Sequence, residues 1–576
     1  MRPVAAVTLG LLLLMDAVRV LLPSLITIYG QAGDTPPEQL GLFAALWFVL
    51  PVLALLISPR WALLGGAAVL AAGRVALQAT DGGLPQLYVS AVSVTAAIVF
   101  LYGSAKLVAG PHARLALPLG LALSPALHLS IGHLDLVWRD GLLPWIPTVL
   151  AVVAFGWAVL GVTETAEPAP GRLWFALGPA LLLTGMFLGP SALIDDGGPW
   201  SAVMLLVALA ALVAASQAGR FGLLGPLALL VGVAFAHLQG RLDAGSMLIF
   251  AIGLGACLRL AGSGAARRPG GALLGGMVTF FVGTFVYYAA YDMNLGFPNG
   301  LVVLVMGLLV AGVAVARELP DWKAAVAAVA AIALALLLPQ AGAPAAARQP
   351  IEGDEFTLIA YNIRMGFGTT GTLDLDAIGD WARSRDPDVV LLSEVDRGWF
   401  LNGGHDDLDR IAARLGMSYH FAPAADELWG DAVLTNLPVS LLTSHPLKSY
   451  GYPTGAQAQT FTIEVGEHRV GVLNTHLQSP DRQSADLPAL LPAAPALLAG
   501  DLNLTPDDPA FAELLRRTGL TDPLKAFGDP PTSPAENPVK RIDHVLLSPG
   551  LTAVSAEVPG VPFSDHLPVV VRIRVD

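Results

Sequence analysis

The chain has 576 residues, of which 54% are hydrophobic and only 13% charged, with a formal net charge of −13 and a mean hydropathy of +0.63. That composition excludes an ordinary soluble protein. Its one cysteine, Cys257, lies inside an apolar stretch, which excludes a disulfide or a thiolate metal site from any hydrophilic part of the chain.

Apolar stretches of roughly 17 to 23 residues, each long enough to cross a bilayer as a helix, repeat from the start of the chain to about residue 342. Spans are expected near residues 4–29, 41–58, 61–79, 87–109, 115–131, 142–163, 173–194, 200–216, 222–238, 245–262, 273–291, 299–316 and 324–340, about thirteen in all. The first carries Asp16 and Arg19 and no small-residue cleavage site follows it, so it reads as a retained helix rather than a signal peptide. Arg2, Arg60, Arg114, Arg172, Arg220, Arg267, Arg268, Arg317 and Lys323 fall in every second connection. The intervening loops hold Asp34, Glu38, Asp81, Asp195, Asp196 and Asp292, with only Arg139 and Arg241 against the trend. By the positive-inside rule, a multi-pass cell-membrane protein is expected, with a cytoplasmic amino terminus and an extracytoplasmic carboxyl domain.

Asp16, Arg19, Arg74, Lys106 and Arg259 lie within the spans. A charge at mid-bilayer costs about 2.5–3.5 kcal/mol on insertion scales, so such residues face the bundle interior or snorkel to the interface. Asp16 and Arg19, three apart on one helix, are expected to neutralise each other, either as a structural pair or as a contact to a lipid headgroup or substrate.

An Ala/Pro/Gly linker over 343–354 separates this membrane domain (1–342) from a charged segment over 355–576. In that segment, strand-like runs end in polar residues: "FTLIAYNIRMGFG" with Asn362, "DVVLLSEVDRG" with Glu394, "RVGVLNTHLQ" with His476, "LLAGDLNL" with Asp501 and Asn503, "KRIDHVLLS" with Asp543 and His544, and "PFSDHLPVVVRI" with Asp565 and His566. A lone Glu or His after a strand is more often a cap or a surface residue; the ordered set carries the signal.

In this order, the Gly-Asp-x-Asn and Ser-Asp-His pieces resemble the endonuclease/exonuclease/phosphatase superfamily, whose deoxyribonuclease I-like fold also serves neutral sphingomyelinases and inositol-phosphate phosphatases. The resemblance covers 355–576 and implies a four-layer α/β sandwich, so the expected fold class is an all-α polytopic membrane domain followed by an α/β domain. A narrower likeness, in "YNIRMGFGTTGTLDLDAI", "SEVDRGWFLNGGHDDLDRIAARLGM" and "WGDAVLTNLPV", is to the cell-wall-biogenesis and GPI-anchor lipid-remodelling proteins, which also place a polytopic region before such a domain.

Cleaving a phosphoester requires a cation on the phosphate oxygens, an aligned water and a stabilised leaving oxygen. Glu394, with the neutral oxygen of Asn362 beside it and Asp565 in support, is expected to hold Mg²⁺, or Mn²⁺ in its place. Asp501 would orient and deprotonate the water, and Asn503 would hold the phosphate or that water. His566 would donate to a phosphate oxygen, its tautomer fixed by a carboxylate such as Asp501. His476 would protonate the leaving oxygen, and Asp543 would orient one of the two imidazoles. Asp396 is expected on the emerging loop, away from the site.

The sequence departs from the family pattern in places. Arg364 stands where many relatives carry an acidic residue, which favours a one-metal site. Asp431 stands where Asn is frequent and is expected either to partner His476 or to cap a loop. His544 is expected to pack. The "GGHDD" turn (403–407) is expected beside the site, with His405 and Asp406 within reach of a headgroup.

Residues 351–576 hold 16 Lys/Arg against 31 Asp/Glu, a net charge near −15, with no basic cluster beyond pairs such as Lys540 and Arg541. Nonspecific duplex binding relies on such clusters, so this balance disfavours nucleic acid and favours membrane lipids or a small phosphate ester as partners. The expected function is a membrane-tethered, Mg²⁺-dependent phosphodiesterase or phosphatase at the extracytoplasmic face, within reach of glycolipid-anchor remodelling. The alternatives are an extracytoplasmic nuclease and a lipid-binding or transport protein with an inactive outer domain.

Overall fold

A computed structural model describes residues 1–30, 35–164, 167–194, 199–218, 221–239, 243–264, 267–291, 293–314, 353–450, 455–478 and 482–576. The expected span over 324–340 and almost all of the linker lie outside these residues. The chain divides into two compact units, the first being Met1–Ala290, Leu295–Ala343 and Gly398–His405, the second Tyr291–Asn294, Pro344–Arg397 and Asp406–Asp576.

The first unit is helical. In chain order its helices are α1 (Arg2–Ser24), α2 (Pro37–Val49), α3 (Pro59–Leu77), α4 (Gly83–Leu107), α5 (Gly110–Ser130), α6 (Trp145–Leu160), α7 (Gly171–Phe187), α8 (Pro199–Gln217), α9 (Leu224–Gln239), α10 (Ala244–Ala261), α11 (Pro269–Ala289) and α12 (Gly300–Val313). Pro near the first turn of α1, α3 and α11 starts those helices without losing an intrahelical bond. Among the described residues, seven helical segments are long and apolar enough to cross a membrane, and four more are apolar but shorter. Small residues let the helix backbones approach: a Cβ on Gly178 of α7 would overlap the carbonyl oxygen of Gly276 on α11.

The intramembrane charges pair differently from the expectation. Asp16 meets Arg74 of α3, Oδ2 to Nε at 3.4 Å, whereas Arg19 points to Asp135, in the segment after α5, at 3.8 Å. Neighbouring helices offer each charge a partner across the bundle, so the two residues of α1 need not neutralise one another.

The second unit is built on two sheets. One has the order β10-β11-β1-β2-β4-β3, the other β5-β6-β7-β8-β9. The strands are β1 (Glu355–Asn362), β2 (Val389–Asp396), β3 (Ser418–Asp426), β4 (Trp429–Thr435), β5 (Val439–Leu447), β6 (Ala456–Val465), β7 (His468–His476), β8 (Ala496–Asp501), β9 (Asp543–Leu547), β10 (Leu551–Glu557) and β11 (Val569–Val575). Phe356, Leu358, Leu391, Val433, Val569 and Val571 of the first sheet share one core with Phe461, Val472, Leu497, Ala499 and Val545 of the second. On the outer face of the second sheet, Leu473, Leu498 and Leu546 pack on Phe511 and Leu514 of helix Pro509–Thr518. Helices Leu375–Arg383 and Asp407–Leu415 belong to the first sheet's side, giving helix, sheet, sheet, helix: a four-layer α/β sandwich. Because both faces of β8 are covered, its sequence is a continuous apolar run rather than an alternation.

β1 and β2 are parallel, as are β7 and β8, while β4, β9 and β11 run antiparallel to their neighbours. The carboxyl ends of the first four strands and the starts of the other three therefore meet at one rim. Gly500, at φ +131°, lets β8 pass so close to β7 that a Cβ would overlap the carbonyl oxygen of Thr475. Gly500→Ala is expected to destabilise the second unit by about 2–3 kcal/mol. Pulse proteolysis of the full chain along a urea series measures this, and an unchanged midpoint would refute the close-approach argument.

Candidate active site

The rim gathers Asn362, Glu394, His476, Asp501, Asn503, Asp543, Asp565 and His566, the strand-end residues singled out in the sequence other than His544. Asp501, buried at the end of β8, is the hub. Its Oδ1 accepts the backbone N–H of Asn503 at 2.9 Å, and its Oδ2 accepts Nδ2 of Asn362 at 3.0 Å. The same Oδ2 lies 3.6 Å from His476 Nε2 and 3.8 Å from His566 Nδ1. Antiparallel pairing of β8 with β9 sets Asp543 directly across from Asp501. Asp543 Oδ2 receives His566 Nδ1 at 2.8 Å, so Asp543, more closely than Asp501, fixes the His566 ring.

Glu394 occupies an irregularity in β2, where the register against β4 shifts between Leu392 and Val395, and its φ is +55°. A non-glycine residue held there costs on the order of 1–3 kcal/mol, which the surrounding sheet must offset. The distortion turns its carboxylate into the rim, where Oε1 accepts Asn362 Nδ2 at 3.1 Å. Asn362 thus donates to two carboxylates, while its Oδ1 accepts the backbone N–H of Arg364. As placed, its amide bridges Glu394 and Asp501, and its oxygen is engaged by backbone.

Asp431 is not a loop cap. It lies within β4, fully buried, with Oδ2 bound by Gln457 Nε2 at 2.6 Å and Oδ1 4.0 Å from His476 Nδ1. Asn503, at φ +51°, donates through Nδ2 to the carbonyl of Leu477 at 2.7 Å and sits 3.4 Å from His476 Nε2. Asp565 is the most open of the set and meets Arg364 Nε at 3.5 Å. Ser564, which the sequence reading passed over, donates to the carbonyl of Asn362 at 2.8 Å and accepts the His566 N–H at 3.2 Å, tying the Ser-Asp-His turn to β1. Only its place in that tripeptide could have signalled it.

Electrostatics follow from these contacts. Burial pushes the Glu394 carboxyl up, and burial likewise takes Asp431 to about 6. For His476, burial pulls downward, but the carboxylates of Asp501, Glu394 and Asp431 outweigh it and hold the imidazole above its ordinary value. Burial also opposes charge on His566, yet Asp543 and Asp501 raise it well above the ordinary range. The rim is a set of carboxylates facing two imidazolium-prone rings.

Asp501, Asp543 and His566 each offer a ligating atom, all within 4.8 Å of one another, and so form a candidate metal-binding cluster. Oxygen and imidazole donors suit a hard or borderline divalent ion. This trio differs from the set of Glu394, Asn362 and Asp565 expected from sequence, which flanks it through the Asn362 bridge.

Other expectations fall elsewhere. His544 packs: its ring lies 4.5 Å from Phe511, and it bonds the carbonyl of Leu504 and Arg541 Nη1. Asp396 is the last residue of β2 and buried, its N–H held by Asp407, rather than on an emerging loop; the strand simply continues past Glu394. Asp406 caps helix Asp407–Leu415 and pairs with Arg397 at 3.2 Å, and His405 groups with the first unit, so neither is committed to the rim.

Residues 359–566 match the model of the Endonuclease/Exonuclease/phosphatase family. No curated protein matches the chain. Among solved structures, an endonuclease/exonuclease/phosphatase from Beutenbergia cavernae DSM 12333 aligns at 25% identity over 38% of this chain and 72% of that one, with a TM-score of 0.35. The human Nocturnin catalytic domain with bound sulfate aligns at 20% identity over 40% and 96%, TM-score 0.33. TDP2 from Caenorhabditis elegans aligns at 20% identity over 39% and 76%, TM-score 0.31. The chain therefore carries an endonuclease/exonuclease/phosphatase-type domain fused to a polytopic membrane region, with a candidate metal-binding cluster at its rim. The expectation that nucleic acid is an unlikely partner is corrected. The matching family takes in endonucleases and exonucleases by its own description. Net charge was a poor guide, because a metal, imidazoles and an Asn amide at the rim can meet phosphate without a Lys/Arg cluster.

Proposed function

We propose that this protein hydrolyses a phosphoester, lipid-linked or small, with a divalent cation, Mg²⁺ or Mn²⁺, at the extracytoplasmic face of its membrane. The observation that carries this reading is the position of Asp501, within 4 Å of both imidazoles and of the Asn362 amide. Asp501 and Asp543, with Glu394 and Asp565 alongside, would hold the ion, which when bound would polarise the phosphate oxygens and withdraw charge from the ester. Asp501 aligns the attacking water and takes its proton. His566, fixed by Asp543, and Asn503 hold phosphate oxygens. His476 gives its proton to the leaving oxygen. Arg364, a fixed cation beside Asp565, supports one metal rather than two. The membrane region supports a lipid substrate, and a glycolipid-anchor remodelling step is of this class.

His476 as acid acts while protonated, so the rate falls as pH rises through its elevated pKa. Asp431→Asn removes one carboxylate that raises that pKa, and the alkaline limb is expected to move to lower pH. A pH–rate profile of both proteins checks this; a limb that stays in place removes His476 from the role.

The proposal as a whole is tested with the full chain in detergent micelles, given phospholipids, bis(p-nitrophenyl) phosphate and DNA, each with EDTA, Mg²⁺ or Mn²⁺. Metal-dependent release from the lipid or the small ester supports it. Cleavage confined to DNA replaces it with the nuclease, and no turnover on any substrate overturns hydrolysis.

A further inference from the structure

The first unit encloses a cavity of about 170 Å³ whose lining includes Asp16, Arg19, Arg74, Ser124, Asp135 and Thr148. Space for several water molecules beside four charged side chains in a membrane region is costly unless something polar fills it. Three groups facing this space are unspent. Arg19, 4% exposed, makes one ionic contact, at 3.8 Å to Asp135 Oδ1, and no hydrogen bond to a described residue. Asp135 Oδ2 and Ser124 Oγ are buried without a hydrogen-bond partner among the described residues. Their neighbours, by contrast, are committed. Arg74 is spread over Asp16 at 3.4 Å, Gln78 at 3.2 Å and Thr148 at 3.1 Å, and Asp135 Oδ1 is taken by His128 at 3.0 Å.

The unspent set has a definite chemistry. A guanidinium with open N–H groups asks for a phosphate or carboxylate, and a carboxylate oxygen beside it asks for a cationic N–H donor. Two Arg and two Asp around the cavity cancel, so a lone anion or a lone cation would leave an uncompensated charge in a low-dielectric space, whereas a zwitterion would not. Opposite charges placed side by side on the ligand would replace the loose Arg19–Asp135 contact with two close ones.

We propose that this cavity binds a zwitterionic phosphate ester bearing a primary ammonium, with the phosphate on Arg19 and the ammonium on Asp135 Oδ2, Ser124 serving either. The site stands apart from the hydrolytic reading, since none of its residues belongs to the rim.

The test titrates full-length protein in maltoside micelles, with EDTA present so that no probe is consumed, against O-phosphoethanolamine, a short-chain phosphatidylethanolamine, inorganic phosphate and ethanolamine. Saturable binding of the first two, at least about tenfold tighter than of either fragment, is expected, which corresponds to the gain of one charge-assisted contact. Binding of the short-chain lipid alone assigns the site to a lipid headgroup; equal binding of the free ester assigns it to the headgroup chemistry itself. Arg19→Gln and Asp135→Asn should each weaken binding about tenfold. Arg19→Lys and Ser124→Ala, which leave no buried charge unpaired, should weaken it less. Asp501→Asn should leave it unchanged, so that loss of hydrolysis and loss of this site remain separable. No saturable binding, or fragments that bind as well as the esters with Arg19→Gln indifferent, overturns the proposal.

Discussion

Asp501→Asn is expected to lower turnover on a metal-dependent phosphoester by about 10³ to 10⁴-fold. The carboxylate is the shared neighbour of Asn362, His476 and His566, and its other oxygen anchors the Asn503 turn at 2.9 Å. An amide keeps the size and can keep the Asn503 bond, but it cannot take a proton from water and no longer draws His476 and His566 into their charged forms. His566→Ala, which leaves Asp501 in place and strips Asp543 of its 2.8 Å partner, should lose a comparable factor. Single-turnover rates with saturating metal, read beside the urea midpoint, decide the matter. More than a tenth of wild-type turnover in Asp501→Asn, with the fold intact, would remove Asp501 from the chemical step.

The second large effect concerns the ion. Glu394→Gln is expected to raise the Mg²⁺ concentration for half-maximal activity about 100-fold, whereas Asp396→Asn should leave it nearly unchanged. Glu394 is turned into the rim by the β2 irregularity and bonded to Asn362 at 3.1 Å, a bond that glutamine can still accept, so the exchange isolates the charge. Asp396 is held beside Asp407. Titrating Mg²⁺ against rate for both variants measures the difference, and equal shifts would dismiss Glu394 as part of the metal environment.

These two residues also show what a linear sequence can carry. Asp501 was legible because it closes a run buried on both faces at the end of β8, and Glu394 because it follows the apolar run "VVLL", one residue after Ser393 and inside β2. The four-layer arrangement was implied by the family resemblance that the order of the motifs carries. Pairings were not legible. That Asp543 belongs to His566 depends on the β8–β9 register, and that Asp16 belongs to Arg74 depends on how two helices cross; helical spacing reports only neighbours on the same helix. The bulge that redirects Glu394 has no signature in "DVVLLSEVD", since its φ of +55° is imposed by the sheet around a residue that would not choose it. Summed charge, finally, said nothing about a rim that gathers two imidazoles and two Asn amides among its carboxylates.

β11 is the last strand of the chain, yet it lies inside its sheet, between β10 and β1, with Ala360 of β1 opposite Val569. A ribosome therefore releases the strand that carries Asn362 some 200 residues before the strand that must flank it. Until the final residues emerge, one side of β1 has an open hydrogen-bonding edge, and the turn that carries Asp565 and His566 lacks the strand that continues it alongside β1. A chain clipped before Val569 is therefore expected to lose the rim and the proposed hydrolysis with it, even though none of the residues from Val569 onward contributes a side chain to the site.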